Sequence, residues 1–165
     1  MNTPATTAIA NTASAALRDR IRDVQEAARG VTTLYPRSYI LQCIKEDRFP
    51  DELWQKLGEF GLLGLSVPEE YGGSGGGVLE ITALNEALAL AGVPTLFLVV
   101  TGLGRVPIMR NGTPEQIRKF VTPTCTGEKK LCFAITEPNA GTNSFAMTTL
   151  ATSDGDGWVL NGQKV

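Results

Sequence analysis

Histidine is absent from this 165-residue chain, and charged residues make up only 19% of it. The formal net charge of −2 leaves no basic field that could attract nucleic acid. No run of residues approaches the roughly 20 consecutive apolar side chains that a bilayer-spanning helix needs. These absences argue against nucleic-acid binding and against a membrane-spanning protein.

Cysteine is scarce as well. Cys43, Cys125 and Cys132 form no CxxC pair and have no histidine nearby, so neither a metal site nor a disulfide framework is favoured. The N-terminus lacks the basic and apolar regions of a secretory signal. We interpret the three cysteines as reduced thiols of a cytoplasmic protein. Cys132 lies in an apolar segment with no base beside it, which favours a core thiol over a nucleophile.

Apolar residues are plentiful, at 42% of the chain, which is enough for one sizeable core. They recur at helical spacing from Ala13 to Gly30, after an Ala/Thr-rich segment, residues 1–12, that we expect to be a disordered tail. The segment from Thr95 to Met109 is apolar nearly all round, which is typical of a buried helix. Comparable patterns predict further helices over residues 37–45, 50–60 and 78–91.

The signals change from helix to strand near Pro123. Just before it, Thr113-Pro114-Glu115 has the order of an N-cap, an N1 proline and an acidic first turn for a short helix that ends at Phe120. We therefore divide the chain into an all-α domain, residues 1–122, and the start of an incomplete β domain, residues 123–165. The predicted strands cover Leu131–Thr136, Met147–Thr152 and Trp158–Leu160.

The pair Asn161-Gly162 is the strongest short hairpin signal, and only Gln163, Lys164 and Val165 follow it. A half-formed hairpin at a terminus would leave an open sheet edge. We therefore expect the chain to be a fragment of a longer protein.

A glycine cluster, residues 72–77, precedes one predicted helix and at first suggests a phosphate site. It lacks both the Gly-Lys-Ser/Thr ending of a P-loop and the GxGxxG spacing of a dinucleotide fingerprint. A flexible connection between helices is the better interpretation.

The segment TEPNAGTN, residues 136–143, leaves the apolar run LCFAIT as a loop. Pro138 restricts its backbone, and Gly141 allows a positive φ or the close approach of another group. Thr136 and Thr142 place hydroxyls at its two ends, where they could bind the edge of a polar heteroaromatic ring and a nearby phosphate or amide. The same residues also suit an ordinary turn, and residue types alone leave both interpretations open.

The stretch CFAITEPNAGTN, followed by DGDGWVLNGQK, resembles the middle-domain signature of the acyl-CoA dehydrogenase family. Upstream, LGEFGLLGLSVPEEYGGSG and NGTPEQIRKFVTPTCTGE resemble that family in order and spacing, so the resemblance covers residues 50–165. It implies a mostly α fold, in which an N-terminal helical domain is followed by the first strands of a β-barrel-like middle domain. It also implies FAD between these domains and a C-terminal helical bundle that this chain lacks.

In that family the loop lies against the flavin, so the resemblance assigns cofactor-binding roles to five residues. Phe133 and Ile135 would lie along the flavin, and Thr136 would hydrogen-bond the pyrimidine edge of its ring system. Gly141 would permit close approach of the cofactor. Thr142 would lie near the FAD pyrophosphate and would also bind substrate, through the pantetheine of the acyl-CoA.

The implied chemistry is FAD-dependent α,β-dehydrogenation of an acyl-CoA thioester, in which a carboxylate base removes the α-proton while the β-hydrogen leaves as hydride. The family's base is a glutamate from the C-terminal domain, beyond Val165, so no catalytic residue is assigned here and Glu137 is not given that role. Asn139 and Asn143 replace a frequent glycine and aspartate, which leaves the substrate subclass open. The family is commonly a homotetramer reoxidised by an electron-transferring flavoprotein.

Two other functions remain open on this sequence. An acyl-CoA oxidase or a flavin monooxygenase could use the same scaffold. The sequence after Val165 would distinguish these enzymes from a dehydrogenase, through the presence or absence of the catalytic glutamate. A non-catalytic helical binding module would use TEPNAGTN only as a turn.

Overall fold

Within the described residues, most of the chain as far as Cys125 is helical and a two-stranded sheet lies near its C-terminus, which confirms the predicted fold class. The computed structural model describes the backbone of residues 4–165 and the side chains of residues 14–165. The helices are α1 (Pro4–Leu34), α2 (Arg37–Lys45), α3 (Asp51–Glu59), α4 (Val78–Leu90), α5 (Leu96–Asn111), α6 (Pro114–Phe120) and α7 (Thr122–Cys125). The strands are β1 (Leu150–Asp154) and β2 (Gly157–Asn161), and short 3-10 helices span Leu62–Gly64, Glu69–Tyr71 and Ser144–Ala146.

Local signals located α2, α3, α4 and α6 correctly. At the start of α6, the Gln116 backbone N–H donates to Thr113 Oγ1 at 3.2 Å, and the Thr113 N–H donates to Gln116 Oε1 at 2.8 Å. This reciprocal cap satisfies two N–H groups that a helix terminus otherwise leaves unpaired. The predicted N-cap at Thr113 is thus confirmed.

Helix α1 is longer at both ends than the prediction of Ala13 to Gly30. Residues 4–12 have helical backbone where we predicted a tail, because proline is tolerated in a first turn and alanine favours helix. Residues 1–3 of that tail lie outside the described residues. Gly30 does not end the helix, since an interior glycine costs only about 1 kcal/mol and Val31 beyond it is fully buried.

The core of the helical region forms where α1 packs along α4. Residues on the facing sides of the two helices recur every three or four positions, and small alanines let the helix axes approach closely. The buried residues of this contact are Val24, Ala28 and Val31 of α1 and Ala83, Leu84, Ala87 and Leu88 of α4.

Helix α3 adds the largest buried side chain, Trp54, which is 1% exposed. Its indole N–H donates to the carbonyl oxygen of Gly127 at 3.0 Å. Nearby, a Cβ on Gly58 would lie 2.1 Å from the oxygen of Thr126, so α3 needs glycine there to approach the 126–127 turn. These contacts hold the segment after α7 against α3.

The chain divides into two compact units, Met1–Leu131 and Cys132–Val165. Helical structure continues through α7 past Pro123, where we predicted a change to strands. Proline in a first turn lacks only an N–H that the helix would leave unpaired anyway, so Pro123 does not end the helical unit.

Helix α5 contradicts the prediction of a buried helix. Only Thr101, Gly104 and Arg105 are buried along it. The face opposite them leaves an apolar stripe exposed, with relative exposures of 71% at Leu96, 44% at Val99, 44% at Leu103 and 47% at Val106. A uniformly apolar helix shows no preferred side in its sequence, so its pattern could not reveal which face packs.

None of the described helices combines the length and the hydropathy that a membrane crossing requires.

The glycine cluster, residues 72–77, is a structured connection and not a flexible one. The Gly76 N–H donates to the Leu65 oxygen at 2.7 Å, and the Gly75 N–H donates to the Val67 oxygen at 2.9 Å. A Cβ on Gly73 would lie 1.9 Å from that Val67 oxygen. The glycines therefore allow backbone to pack against backbone.

In the second unit, β1 and β2 form an antiparallel hairpin in which Leu150 lies opposite Asn161 and Asp154 lies opposite Gly157. The strand begins at Leu150 and not at the predicted Met147. The N–H groups of Thr148 and Thr149 donate to a side chain, the carboxylate of Glu137, and so are not available for ladder pairing.

Two other predictions for this unit were wrong. Residues 131–136 form no strand, because within the described residues their backbone pairs with the C-terminal segment only through the Val165 N–H, which donates to the Thr136 oxygen at 3.0 Å. Asn161-Gly162 does not fold the chain back onto β2. Gly162 has a φ of 154°, a Cβ on it would lie 2.2 Å from Thr149 Oγ1, and the residues after it approach Thr136.

Candidate functional site

A tight turn forms the centre of the TEPNAGTN loop. The Glu137 N–H donates to the Ala140 oxygen at 3.0 Å, and the Ala140 N–H donates to the Glu137 oxygen at 3.1 Å. Pro138 and Asn139 are the central residues, and neither has a positive φ. Proline at the first central position presets the backbone of such a turn. The loop therefore has a defined shape within its own unit.

The carboxylate of Glu137 fixes this turn to the start of β1. Glu137 is only 4% exposed. Its Oε2 accepts the Thr148 N–H at 2.7 Å and the Thr148 hydroxyl at 2.9 Å, while Oε1 accepts the Thr149 N–H at 2.9 Å and the Lys164 ammonium at 3.0 Å. These donors, the Thr148 N–H first among them, hold the pKa of Glu137 well below its usual range. A carboxylate with four donors is a poor proton acceptor, which agrees with not assigning Glu137 as the base.

The five predicted cofactor residues flank this fixed turn. Phe133 and Ile135 precede it in a segment without regular secondary structure, where Phe133 is exposed and Ile135 half-buried. Thr136, Gly141 and Thr142 are exposed around the turn. The hydroxyls of Thr136 and Thr142 make no hydrogen bond within residues 14–165. The loop thus presents two hydroxyl groups, each a donor and acceptor, to its surroundings.

Neither the backbone conformation nor a close contact within the described chain requires glycine at position 141. Its φ is not positive, so an L side chain would cause no backbone strain. A Cβ built on it would meet nothing within 4 Å. The space beside it is where an approaching planar group would lie against the backbone. Together with the two threonine hydroxyls, this opening leaves room for a planar ring with polar groups at its edge.

A separate cavity of about 310 Å³ lies in the helical unit beside α5. Its lining is mainly aliphatic and includes Leu62, Leu65, Leu84, Leu98, Val99 and Leu103. Such a surface can take an alkyl chain and offers few partners to a charged group.

Arg105 lies at the wall of this cavity and was missed by the sequence analysis. Its guanidinium is buried and donates to Thr124 Oγ1 at 2.7 Å, to the Thr124 oxygen at 2.8 Å and to the Leu63 oxygen at 2.5 Å. Burial lowers its pKa from the ordinary value. A single arginine inside the apolar run GLGRVPIM was the available signal. Its contacts join α5 to α7 and to the Leu62–Gly64 turn, which is a structural role.

Glu80 is a second buried charge that sequence reasoning missed. It accepts the Gly77 N–H at 2.9 Å at the start of α4 and pairs with Arg20 of α1 at 2.9 Å. Cys132, predicted to be a core thiol, is exposed. The expected burial required residues 131–136 to be a paired strand, and they are not one.

Residues 6–128 match the family model described as "Acyl-CoA dehydrogenase, N-terminal domain". The acyl-CoA dehydrogenase FadE12 of Mycobacterium tuberculosis is 39% identical over 132 residues, which are 79% of this chain and 34% of that protein. The CarC subunit of a caffeyl-CoA reductase-Etf complex from Acetobacterium woodii is 36% identical over 86% of this chain and 38% of its own length. The chain therefore spans little more than a third of these relatives.

Two solved structures share the fold. Butyryl-CoA dehydrogenase from Megasphaera elsdenii matches with a TM-score of 0.77 and 33% identity, over 89% of this chain and 40% of that chain. A chain from a study of the electron transferring flavoprotein of Acidaminococcus fermentans matches with a TM-score of 0.81 and 32% identity, over 88% of this chain and 39% of its own.

Proposed function

Since the chain belongs to the acyl-CoA dehydrogenase family, we propose that it supplies the helical domain and the start of the middle domain of an enzyme that oxidises acyl-CoA thioesters. The observation that carries the proposal is the loop at residues 136–142. Within the described chain, no contact requires glycine at position 141, and the hydroxyls of the exposed residues Thr136 and Thr142 have no hydrogen-bond partner. When bound there, FAD would accept the hydride from the β-carbon of the substrate.

The residues of the loop would bind and orient the cofactor. The Thr136 hydroxyl would hydrogen-bond the pyrimidine edge of the flavin, and Phe133 and Ile135 would lie along the ring. Gly141 would let the ring approach the backbone. Thr142 would hold the pyrophosphate and the pantetheine of the acyl-CoA. The catalytic base would come from outside this chain.

The cavity beside α5 would hold the alkyl part of the substrate. Its mainly aliphatic lining favours an unsubstituted acyl chain over one that ends in a charged group, because a charge placed there would lose its hydration and the guanidinium of Arg105 at the wall already donates to Thr124 and Leu63. All the residues that line this cavity belong to the helical unit.

The electron acceptor would be an electron-transferring flavoprotein. The names of two similar proteins support this: CarC is a subunit of a complex with Etf, and the Acidaminococcus chain comes from a study of an electron transferring flavoprotein. A cytoplasmic homotetramer working in fatty acid metabolism is the corresponding whole enzyme. An acyl-CoA oxidase is the second candidate, and its use of oxygen as the electron acceptor distinguishes it from an acyl-CoA dehydrogenase.

The test is flavin content and turnover of the full-length enzyme. We expect the purified protein to be yellow and to reduce a dye when given an acyl-CoA, with little oxygen consumption. Residues 1–165 expressed alone should bind FAD poorly and show no turnover, because they hold only the start of the proposed middle domain and no residue among them is assigned as the base. A colourless full-length protein that does not bind added FAD would contradict the proposal, whereas rapid oxygen consumption would favour the oxidase.

Gly141→Ala should weaken FAD binding by roughly five- to tenfold, because the added methyl would fill the space proposed for the ring. The apoprotein should keep its thermal stability or gain slightly, since alanine at a compatible φ restricts the unfolded chain. FAD affinity is measured by quenching of flavin fluorescence. Gly30→Ala is the matched control, because a Cβ on Gly30 also meets nothing within 4 Å. Equal FAD affinity in all three proteins would place the flavin elsewhere.

A further inference from the structure

Lys164 contacts the candidate flavin loop from both sides of Thr136. Its ammonium donates to the Ile135 oxygen at 3.2 Å and to Glu137 Oε1 at 3.0 Å. One residue on, the Val165 N–H donates to the oxygen of Thr136 itself at 3.0 Å. The two consecutive residues 164 and 165 therefore hold three consecutive residues of the loop.

Glu137 extends these contacts to β1. Its buried carboxylate accepts both backbone N–H groups that precede the strand, those of Thr148 and Thr149, as well as the Thr148 hydroxyl. Buried carboxylates are stable when every oxygen has donors, and each oxygen of Glu137 has two. Three segments separated along the chain thus meet at one carboxylate: the turn at residues 137–140, the two residues before β1, and Lys164.

These hydrogen bonds fix the backbone that carries the Thr136 side chain. Its own carbonyl and that of Ile135 are hydrogen-bonded to the C-terminal segment. The Thr136 hydroxyl is the part that remains without a partner in the described chain. A group that is fixed in place before its ligand arrives binds with a smaller loss of entropy.

We propose that Lys164 and Glu137 are positioning residues: their ion pair holds Ile135 and Thr136 in the geometry that binds the flavin, and neither side chain touches the cofactor. The inference rests on the proposed function and deepens it. It assigns a role in cofactor binding to a lysine that lies outside the loop and that the family resemblance did not single out.

The test compares FAD binding by the full-length wild-type enzyme and its Lys164→Met variant. Methionine keeps the length of the side chain but removes the donors to Ile135 and Glu137. We expect FAD to bind about tenfold more weakly and the fine structure of the bound flavin absorption spectrum to change. Lys164→Arg should restore affinity to within about threefold of wild type, because a guanidinium can also donate to both oxygens.

Lys129→Met is the matched control, since Lys129 is exposed and its ammonium makes no ion pair within the described residues. It should bind FAD like wild type. Glu137→Gln is the second variant, because its amide keeps the shape of the carboxylate but turns one acceptor into a donor facing N–H groups. We expect it to weaken FAD at least as much as Lys164→Met does.

The proposal is overturned if Lys164→Met binds FAD within twofold of wild type. It is also overturned if Lys164→Met lowers apoprotein stability and FAD affinity together and Lys164→Arg restores neither, since the pair would then be only structural. A wild-type protein that does not bind FAD would instead contradict the proposed function itself.

Discussion

Trp54→Ala should lower the free energy of unfolding of the helical unit by about 3–5 kcal/mol, the usual range for a large aromatic side chain removed from a core. Trp54 is 1% exposed, packs edge-on against Phe49 and Phe97 with ring centroids 5.9 and 5.5 Å away, and donates to Gly127. Alanine would leave a large cavity and an unpaired carbonyl. Urea unfolding followed by far-UV circular dichroism measures the loss.

Two variants separate the contributions of this side chain. Trp54→Phe keeps much of the volume but removes the N–H donor, so a loss of about 1–3 kcal/mol is expected. Trp158→Ala is the control, because Trp158 lies in β2 with 71% exposure and should change stability little. Equally small losses of unfolding free energy in Trp54→Ala and Trp158→Ala would contradict the described packing of α3 against the 126–127 turn.

Thr136→Val should weaken FAD binding by roughly ten- to a hundredfold in the full-length enzyme, or reduce the rate of flavin reduction to a matching degree. Valine keeps the shape of threonine but lacks its hydroxyl, and a buried cofactor group that loses its partner costs about 1–3 kcal/mol. Each ~1.4 kcal/mol corresponds to a factor of ten. FAD dissociation and the rate of reduction by acyl-CoA are measured in both proteins.

The stability of the Thr136→Val apoprotein should stay near wild type, because the hydroxyl has no partner within the described chain. Thr152→Val, at an exposed position of β1 in the same unit, is the control and should leave both flavin parameters unchanged. Flavin parameters within about twofold of wild type in Thr136→Val would show that Thr136 is not a cofactor ligand.

The predictions that succeeded depend on neighbours along the chain. The cap of α6 needs only Thr113 and Gln116, three positions apart, and the buried face of α3 repeats within one helix. Such local signals are present in the sequence whatever the rest of the molecule does. The strand segments predicted over residues 147–152 and 158–160 likewise overlap β1 and β2, because their residue types favour strands locally.

The predictions that failed depend on contacts between distant residues. The ordered path of Gly73 is set by the Val67 backbone, and the course of the chain after Gly162 is set by Thr136. The exposed side of α5 depends on which face meets α7 and the Leu62–Gly64 turn. No short window of sequence contains these partners, so propensity could not predict the outcome.

The candidate site shows the same division. Resemblance pointed to residues from Phe133 to Thr142, and the turn chemistry of Pro138 predicted their loop. The carboxylate of Glu137, however, is held by Thr148 and Lys164, which lie 11 and 27 positions further along the chain. Their role became visible only when the fold brought them together.

A crystal structure of the full-length enzyme with bound FAD tests the central claim most directly. We expect the Thr136 Oγ1 to lie within about 3.2 Å of a nitrogen or oxygen on the pyrimidine edge of the flavin. We also expect the ring to occupy the space beside Gly141, with the ion pair between Lys164 and Glu137 intact behind it. A flavin that contacts neither Thr136 nor Gly141 would contradict the account.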